Sequence, residues 1–241
     1  MISPPVSPRA LAGCLLIAVS GAVAQTDLPP PAPLGAPAAK PVYETTFPSS
    51  DAQRPLWKPR ETSKWSFAGP ESPTGCYRLE QIGQAGKIRA PFSWSVWQGA
   101  KPRGFVANMR AKCLTPVLNL RRDVILVFSW RDAEHFDYVH FSAQSDEFHN
   151  VIMKVDGADR KALPHEIKPT ARLTDENWHD LRVWVDAASG TVRAYADDMA
   201  KPILQATDKS LAAGHVGIGS FDDTAEFASF SLAPLDAPPS P

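Results

Sequence analysis

Residues 177–198 read NWHDLRVWVDAASGTVRAYADD, and the alternation inside this stretch decides the fold. Leu181, Val183 and Val185 alternate with Asp180, Arg182, Trp184 and Asp186. After the turn Ala187-Ala188-Ser189-Gly190, Val192, Ala194 and Ala196 alternate with Thr191, Arg193, Tyr195 and Asp197. Period-two alternation on both sides of a glycine-containing turn predicts a hairpin with one buried face. PILQATD (202–208), GHVGIGSFDD (214–223) and AEFASFSL (225–232) extend it as a meander of short antiparallel strands.

Working outward, Phe105, Ala107, Met109 and Ala111 alternate with polar neighbours, predicting a half-buried strand. Asp123 to Trp130, DVILVFSW, is an apolar run that fits a central strand covered on both faces. Two further strands, Phe136 to Ser142 and His149 to Val155, are joined by the polar AQSDEF. Nearer the N-terminus, Thr45-Thr46-Phe47 predicts an edge strand and residues 48–74 read as loop. Tyr77 to Ile82 and Lys87 to Ala90 suggest paired strands about Gly83-Gln84-Ala85-Gly86. No segment keeps a helical period, and strand signals recur about every 8–12 residues, so the class is all-β, a two-sheet antiparallel sandwich.

The ends read differently. Residues 1–24, with Arg9 followed by LAGCLLIAVSGAVA, have the pattern of a signal peptide cut after Ala24. Leu11-Ala12-Gly13-Cys14 imitates a lipoprotein box, but the apolar stretch follows it instead of preceding it. Residues 25–42 are a Pro/Ala-rich linker, 43–234 the folded domain, and 235–241 a disordered tail. The expected location is therefore periplasmic or secreted. In that oxidising setting Cys76 and Cys113 are either one disulfide or two buried thiols. The 241-residue chain has a formal net charge of -1 and no basic patch, which argues against nucleic acid as a partner. No segment after the leader is apolar enough to span a bilayer.

Three stretches, VFSWRDAEHFDYVHFS with FHNVIMKVDG, NWHDLRVWVDAASGTVRAYADD, and GHVGIGSFDDTAEFASFSL, resemble the concanavalin A-like lectin/glucanase jelly roll. Within it they are most similar to the bacterial exported domains grouped as 3-keto-disaccharide hydrolase-like, and to laminin-G-like modules. The resemblance covers most of residues 105–232. It implies two curved sheets packed face to face, with the concave one as the glycan-binding face and paired carboxylates there in catalytic members. It also implies a structural Ca²⁺ in many members. That pattern places an Asp after Phe227, whereas Ala228 and Ser229 follow here. The expectation is thus no bound cofactor, with Asp222 and Asp223 as the metal candidates should calcium be held.

Family-16-type glycanases carry E-x-D-x-x-E on one strand, where alternation puts the acids on one face. The sequence has no such run. The acids Asp132, Glu134 and Asp137 fit a solubilising loop as well as a catalytic one. The better cluster surrounds AQSDEF: Arg131, Asp132, Tyr138, His140, His149, Asn150 and Lys154. These hydrogen-bonding and aromatic groups suit a sugar, and either histidine could serve as a general base. The plainer reading packs Tyr138 between sheets and leaves His140 a satisfied strand histidine. Arg182, Trp184, Arg193 and Tyr195 form a second polar-aromatic face, read as structural cross-strand contacts. The histidines show no zinc-type spacing.

Three functions follow. The first is an exported carbohydrate-binding jelly roll without a recognisable glycanase motif. The second is a hydrolase or lyase acting on 3-keto-glycosides. The third is an adhesion module binding protein. Whether the chain is an enzyme stays open at this point.

Overall fold

The computed structural model describes residues 40–47, 54–68 and 75–235. The predicted signal peptide, the linker up to residue 39 and the tail from 236 lie outside the described residues. Among the described residues, fifteen strands pair antiparallel in two sheets. The first sheet runs β13 (Leu204–Thr207), β12 (Thr191–Ala196), β11 (His179–Asp186), β6 (Phe105–Cys113), β15 (Ala225–Pro234), β4 (Cys76–Leu79) and β3 (Trp65–Ala68), with β1 (Tyr43–Thr46) also on β15. The second runs β10 (Lys161–Ala162), β9 (Val151–Asp156), β8 (His135–Ser142), β7 (Asp123–Asp132), β14 (His215–Ser220), β5 (Ser93–Trp97) and β2 (Trp57–Pro59). The protein is a two-sheet antiparallel jelly-roll β-sandwich.

The alternation read from residues 177–198 is the observed one. Val183 pairs with Ala194 and Val185 with Val192, and the apolar set faces the other sheet. Between the sheets lies one core that includes Phe105, Met109, Leu126, Phe128, Phe141, Ile152, Phe227 and Phe230. β7 sits in the middle of its sheet and is apolar on both faces. Val124, Leu126 and Phe128 join the inter-sheet core, while Ile125 and Val127 join a second apolar cluster on the outer face.

The meander reading holds only for β11 to β13. β14 leaves for the other sheet, between β7 and β5, and β15 returns. Period-two alternation fixes which side chains point inward but not which sheet a strand joins. Glycine allows the close approach on β14: a Cβ on Gly219 would lie 2.2 Å from the Ser93 carbonyl oxygen.

The front of the domain also differs from its reading. Residues 48–74, expected as loop, contain β2 and β3. Both are short edge strands held by Trp57 and Trp65, and Pro59 is tolerated at an edge. Trp57 Nε1 donates to Tyr43 Oη at 3.1 Å. Lys87 to Ala90 is not a strand and does not pair with β4. Ile88 and Ala90 instead pack on the outer face of the second sheet, and the sequence reading missed the fully buried β5.

Cys76 and Cys113 are buried free thiols, so the disulfide alternative is corrected. β15 runs between their strands, which puts β4 and β6 about 9–10 Å apart. A disulfide needs Cα atoms within about 7 Å. Burial pushes both thiols up to about 11.

Candidate functional site

The site is built on the outer face of the second sheet. Alternation on β8 sends Phe136, Tyr138 and His140 to that face and Val139 and Phe141 to the core. Along most of its length the face is filled. Trp94, Ile125, Val127, Phe136, Val151 and Met153 form the outer apolar cluster, and Ile88 and Ala90 cover it. Arg160 is buried here as well, and its Nη1 donates to Tyr138 Oη at 3.0 Å. Burial raises the Tyr138 phenol far above its ordinary range despite this cation.

At the end where β7 starts and β8 finishes, the face opens. A cavity of about 430 Å³ lies there, lined by residues from five separate segments: Arg89; Arg121; His140 with Asp146 to His149; Arg160; and Phe221 with Asp222. Its polar groups are held in place. His140 is 1 % exposed and its Nδ1 donates to the Phe148 carbonyl at 2.7 Å. His149 Nδ1 donates to the Asp146 carboxylate, 2.8 Å from one oxygen and 2.9 Å from the other. Desolvation works against the Asp146 charge, yet hydrogen bonds from Phe148 N and His149 hold that carboxyl below the usual range. The two imidazole rings are 5.4 Å apart between centroids. Apolar ring surface completes the wall: the Arg160 guanidinium stacks 3.9 Å from the Phe221 ring centroid, and Phe221 also stacks on His140.

Beneath the cavity lies a carboxylate cluster. Asp123, Asp222 and Asp223 each present an oxygen, all within 4.8 Å of one another. Asp123 and Asp223 are buried and Asp222 is exposed. Asp123 Oδ1 accepts from Ser220 Oγ at 2.9 Å and Phe221 N at 2.7 Å. Asp223 Oδ2 accepts from Asp123 N at 2.7 Å, and Thr115 Oγ1 donates to its Oδ1. Desolvation, then the Asp123 charge, raise Asp222 above the ordinary carboxylate range and push Asp223 up to about 6.

Of the residues singled out in the sequence, the structure brings His140, His149 and Asp222 to the cavity, with Asp223 behind. It does not bring the others. Arg131 and Asp132 lie eight and nine residues along β7 from Asp123, roughly 25 Å away at strand rise. There Arg131 pairs with Asp156 at 3.6 Å, and Asp132 holds His135. Lys154 has the parity of the core-facing Ile152, so it leaves on the opposite side, where Nζ donates to Asp208 and Ser210 at 2.7 Å each. Tyr138 is buried under Arg160. Asn150 is buried in left-handed backbone, and its Nδ2 donates to Ser145 Oγ. The second polar-aromatic face satisfies itself: Arg193 stacks on Trp184 and donates to Gln205, and Arg182 donates to Asn108.

Sequence reasoning missed Arg89, Arg121, Asp123, Asp146, Phe148, Arg160 and Phe221. One signal was available for Asp123, a carboxylate opening an otherwise apolar strand. None existed for the arginines, which reach the cavity from loops distant in sequence.

No protein-family model matches the chain, and no curated protein matches its sequence significantly. Solved structures do match its fold. The carbohydrate-binding module CBM66 from Bacillus subtilis superposes with a TM-score of 0.54 at 14% identity, over 74% of this chain and 95% of that one. The exoplasmic/lumenal domain of VIP36, in a form bound to Ca²⁺ and Man3GlcNAc, gives a TM-score of 0.52 at 15% identity over 82% and 90%. A Bacillus subtilis protein of unknown function with a galectin-like fold gives 0.51 at 13% identity over 81% and 96%. At these identities the likeness is one of fold.

Proposed function

We propose that this domain is the carbohydrate-binding jelly roll of an exported protein, and that the sugar sits in the cavity at the open end of the second sheet. The observation carrying this reading is the convergence of two fixed imidazoles, the Arg89 and Arg121 side chains and the Phe148 ring on one cavity of about 430 Å³. Pockets of roughly 300–1,000 Å³ take small ligands, and a sugar needs directed hydrogen bonds plus a ring face for its C–H surface. The filled centre of the outer face argues against a long glycan laid across the whole sheet, so the ligand is a terminal or short saccharide. The fold shared with CBM66 and VIP36 supports the class of ligand without identifying it.

A second reading, a hydrolase or lyase on 3-keto-glycosides, draws on one feature. Asp146 fixes the Nδ1–H of His149, leaving Nε2 as the basic nitrogen of the neutral ring. Such a base would take the proton on the carbon between the ketone and C1. The electron pair would then expel the glycosidic oxygen, which leaves with a proton as the alcohol.

One experiment separates the two. The domain is incubated with a panel of glycosides and 3-keto-glycosides, following thermal shift and product release together. Binding without turnover, weakened about tenfold or more by Arg89→Ala and His149→Ala, supports the first reading. Turnover abolished by His149→Ala transfers support to the second. A panel that neither binds nor reacts refutes both.

A further inference from the structure

We propose that the floor of the cavity is a metal centre in which Asp123 Oδ2, His140 Nε2 and the carboxylates of Asp222 and Asp223 hold one divalent first-row transition ion of the zinc or manganese class. The proposal goes beyond sugar binding and stands whether or not a saccharide enters the cavity.

Three carboxylates within 4.8 Å would mean little by themselves. The second observation is the buried histidine aimed at one of them, Asp123. His140 is 1 % exposed, and its Nδ1 proton is committed to the Phe148 carbonyl, an acceptor only. In the neutral ring Nε2 therefore carries a lone pair. That nitrogen lies 3.3 Å from Asp123 Oδ2, yet neither atom has a hydrogen-bond partner. Asp123 is also 1 % exposed, and donors occupy its other oxygen alone. With the ring neutral, two buried atoms without hydrogen-bond partners, each with electrons to give, thus face one another at 3.3 Å. Leaving such groups unpaired is costly, and a cation bonded to both removes the cost.

The surroundings fit that role. A ligating imidazole usually gives its other N–H to a carbonyl or carboxylate, as His140 does. Asp223 receives the backbone N–H of Asp123 and the Thr115 hydroxyl, bonds that lock the two buried acids together. Asp222 is exposed and can swing onto the ion. The three carboxylates, whose oxygens lie within 4.8 Å of one another, close with a small rotation onto metal bonds of about 2.0–2.2 Å, and His140 joins them from the Asp123 side, where its Nε2 stands 3.3 Å from Oδ2. When ionised, the three carboxylates carry −3, so a 2+ ion brings the cluster to −1.

The donor set also selects the metal. Calcium, which the fold resemblance implies, takes six to eight oxygens. Here a buried imidazole nitrogen stands beside Asp123, and imidazole with carboxylate favours zinc, manganese or cobalt. The cluster also differs in place from the position after Phe227, where Ala228 stands.

The test uses the chain stripped with a chelator, then given Zn²⁺, Mn²⁺, Co²⁺, Ca²⁺ or Mg²⁺ alone. Zn²⁺, Mn²⁺ and Co²⁺ are expected to raise Tm, with Ca²⁺ and Mg²⁺ doing far less, and bound Co²⁺ to show visible d–d absorption. Asp222→Asn, an exposed change that keeps the fold, should weaken Co²⁺ binding at least about tenfold. His140→Ala should abolish it, and His135→Ala, at the far hairpin, should leave it unchanged. The proposal is overturned if no ion raises Tm, if Ca²⁺ stabilises as well as Zn²⁺ and Mn²⁺, or if Co²⁺ binds the Asp222→Asn chain as tightly as the parent.

Discussion

Replacing Asp137 with Asn should make the domain more stable at neutral pH and flatten its stability profile. Asp137 lies on β8 with the parity of the core residues Val139 and Phe141 and is 4 % exposed. Its Oδ1 has no hydrogen-bond partner. Burial, only partly opposed by the Lys154 charge and reinforced by Asp208, pushes its carboxyl up to about 7. The folded pKa is thus above the unfolded one. Between about pH 4 and pH 7 the folded chain holds a proton that the unfolded chain has lost, so stability falls as pH rises through this window. A displacement of three units corresponds to at most about 4 kcal/mol. Relaxation and water entry around the ionised group reduce this, and roughly 2–4 kcal/mol is expected. Asn keeps the shape and never ionises. Urea titrations of parent and Asp137→Asn between pH 5 and pH 8 measure the difference directly. About one unit of the displacement lies below pH 5, so across that range the parent should lose roughly 1.5–2.5 kcal/mol relative to the variant. Parallel pH profiles, or a variant less stable than its parent at pH 8, would refute the reasoning and show that Asp137 is ionised and satisfied in the fold.

Other outcomes follow from the same packing. Arg122 is 1 % exposed, and its guanidinium donates to the carbonyls of Cys113 and Asp175 at 2.6 Å each. Arg122→Ala strands both acceptors and leaves a cavity, so urea titration should show a loss of about 3 kcal/mol or more; a change below 1 kcal/mol contradicts that role. Gly219→Ala forces a Cβ to 2.2 Å from the Ser93 oxygen, breaking the β5–β14 pairing, and thermal unfolding should register about 2 kcal/mol of destabilisation; an unchanged Tm contradicts it. Cys76 and Cys113 should resist a thiol reagent in the folded domain and react on denaturation. Peptide mapping that found them joined would contradict the separation of β4 and β6.

The sequence conveyed the layers of this fold better than its connections. Leu181, Val183 and Val185 announce an inward face, and the apolar run after Asp123 announces a strand covered twice, because a strand's period of two is local. Nothing local says that β14 pairs with β7 rather than β13, since Val216 and Ile218 would alternate identically in either sheet. The same limit governs the site. His140 and His149 are legible because one hairpin carries both. Arg89, Arg160 and Phe221 converge on them through loops separated by tens of residues, and Asp123 meets Asp223 across 100 positions of chain. Lys154 failed as a candidate for a simpler reason: the strand's parity turns it away from the histidines.

The central claim is that ligand enters the cavity beside His140 and His149. Chemical-shift mapping of the isotopically labelled domain, titrated with a saccharide it binds, tests this most directly. The account predicts perturbations concentrated at Arg89, Phe148, His149 and Asp222. Shifts centred instead on Trp184, Arg193 and Tyr195 of the first sheet would contradict it.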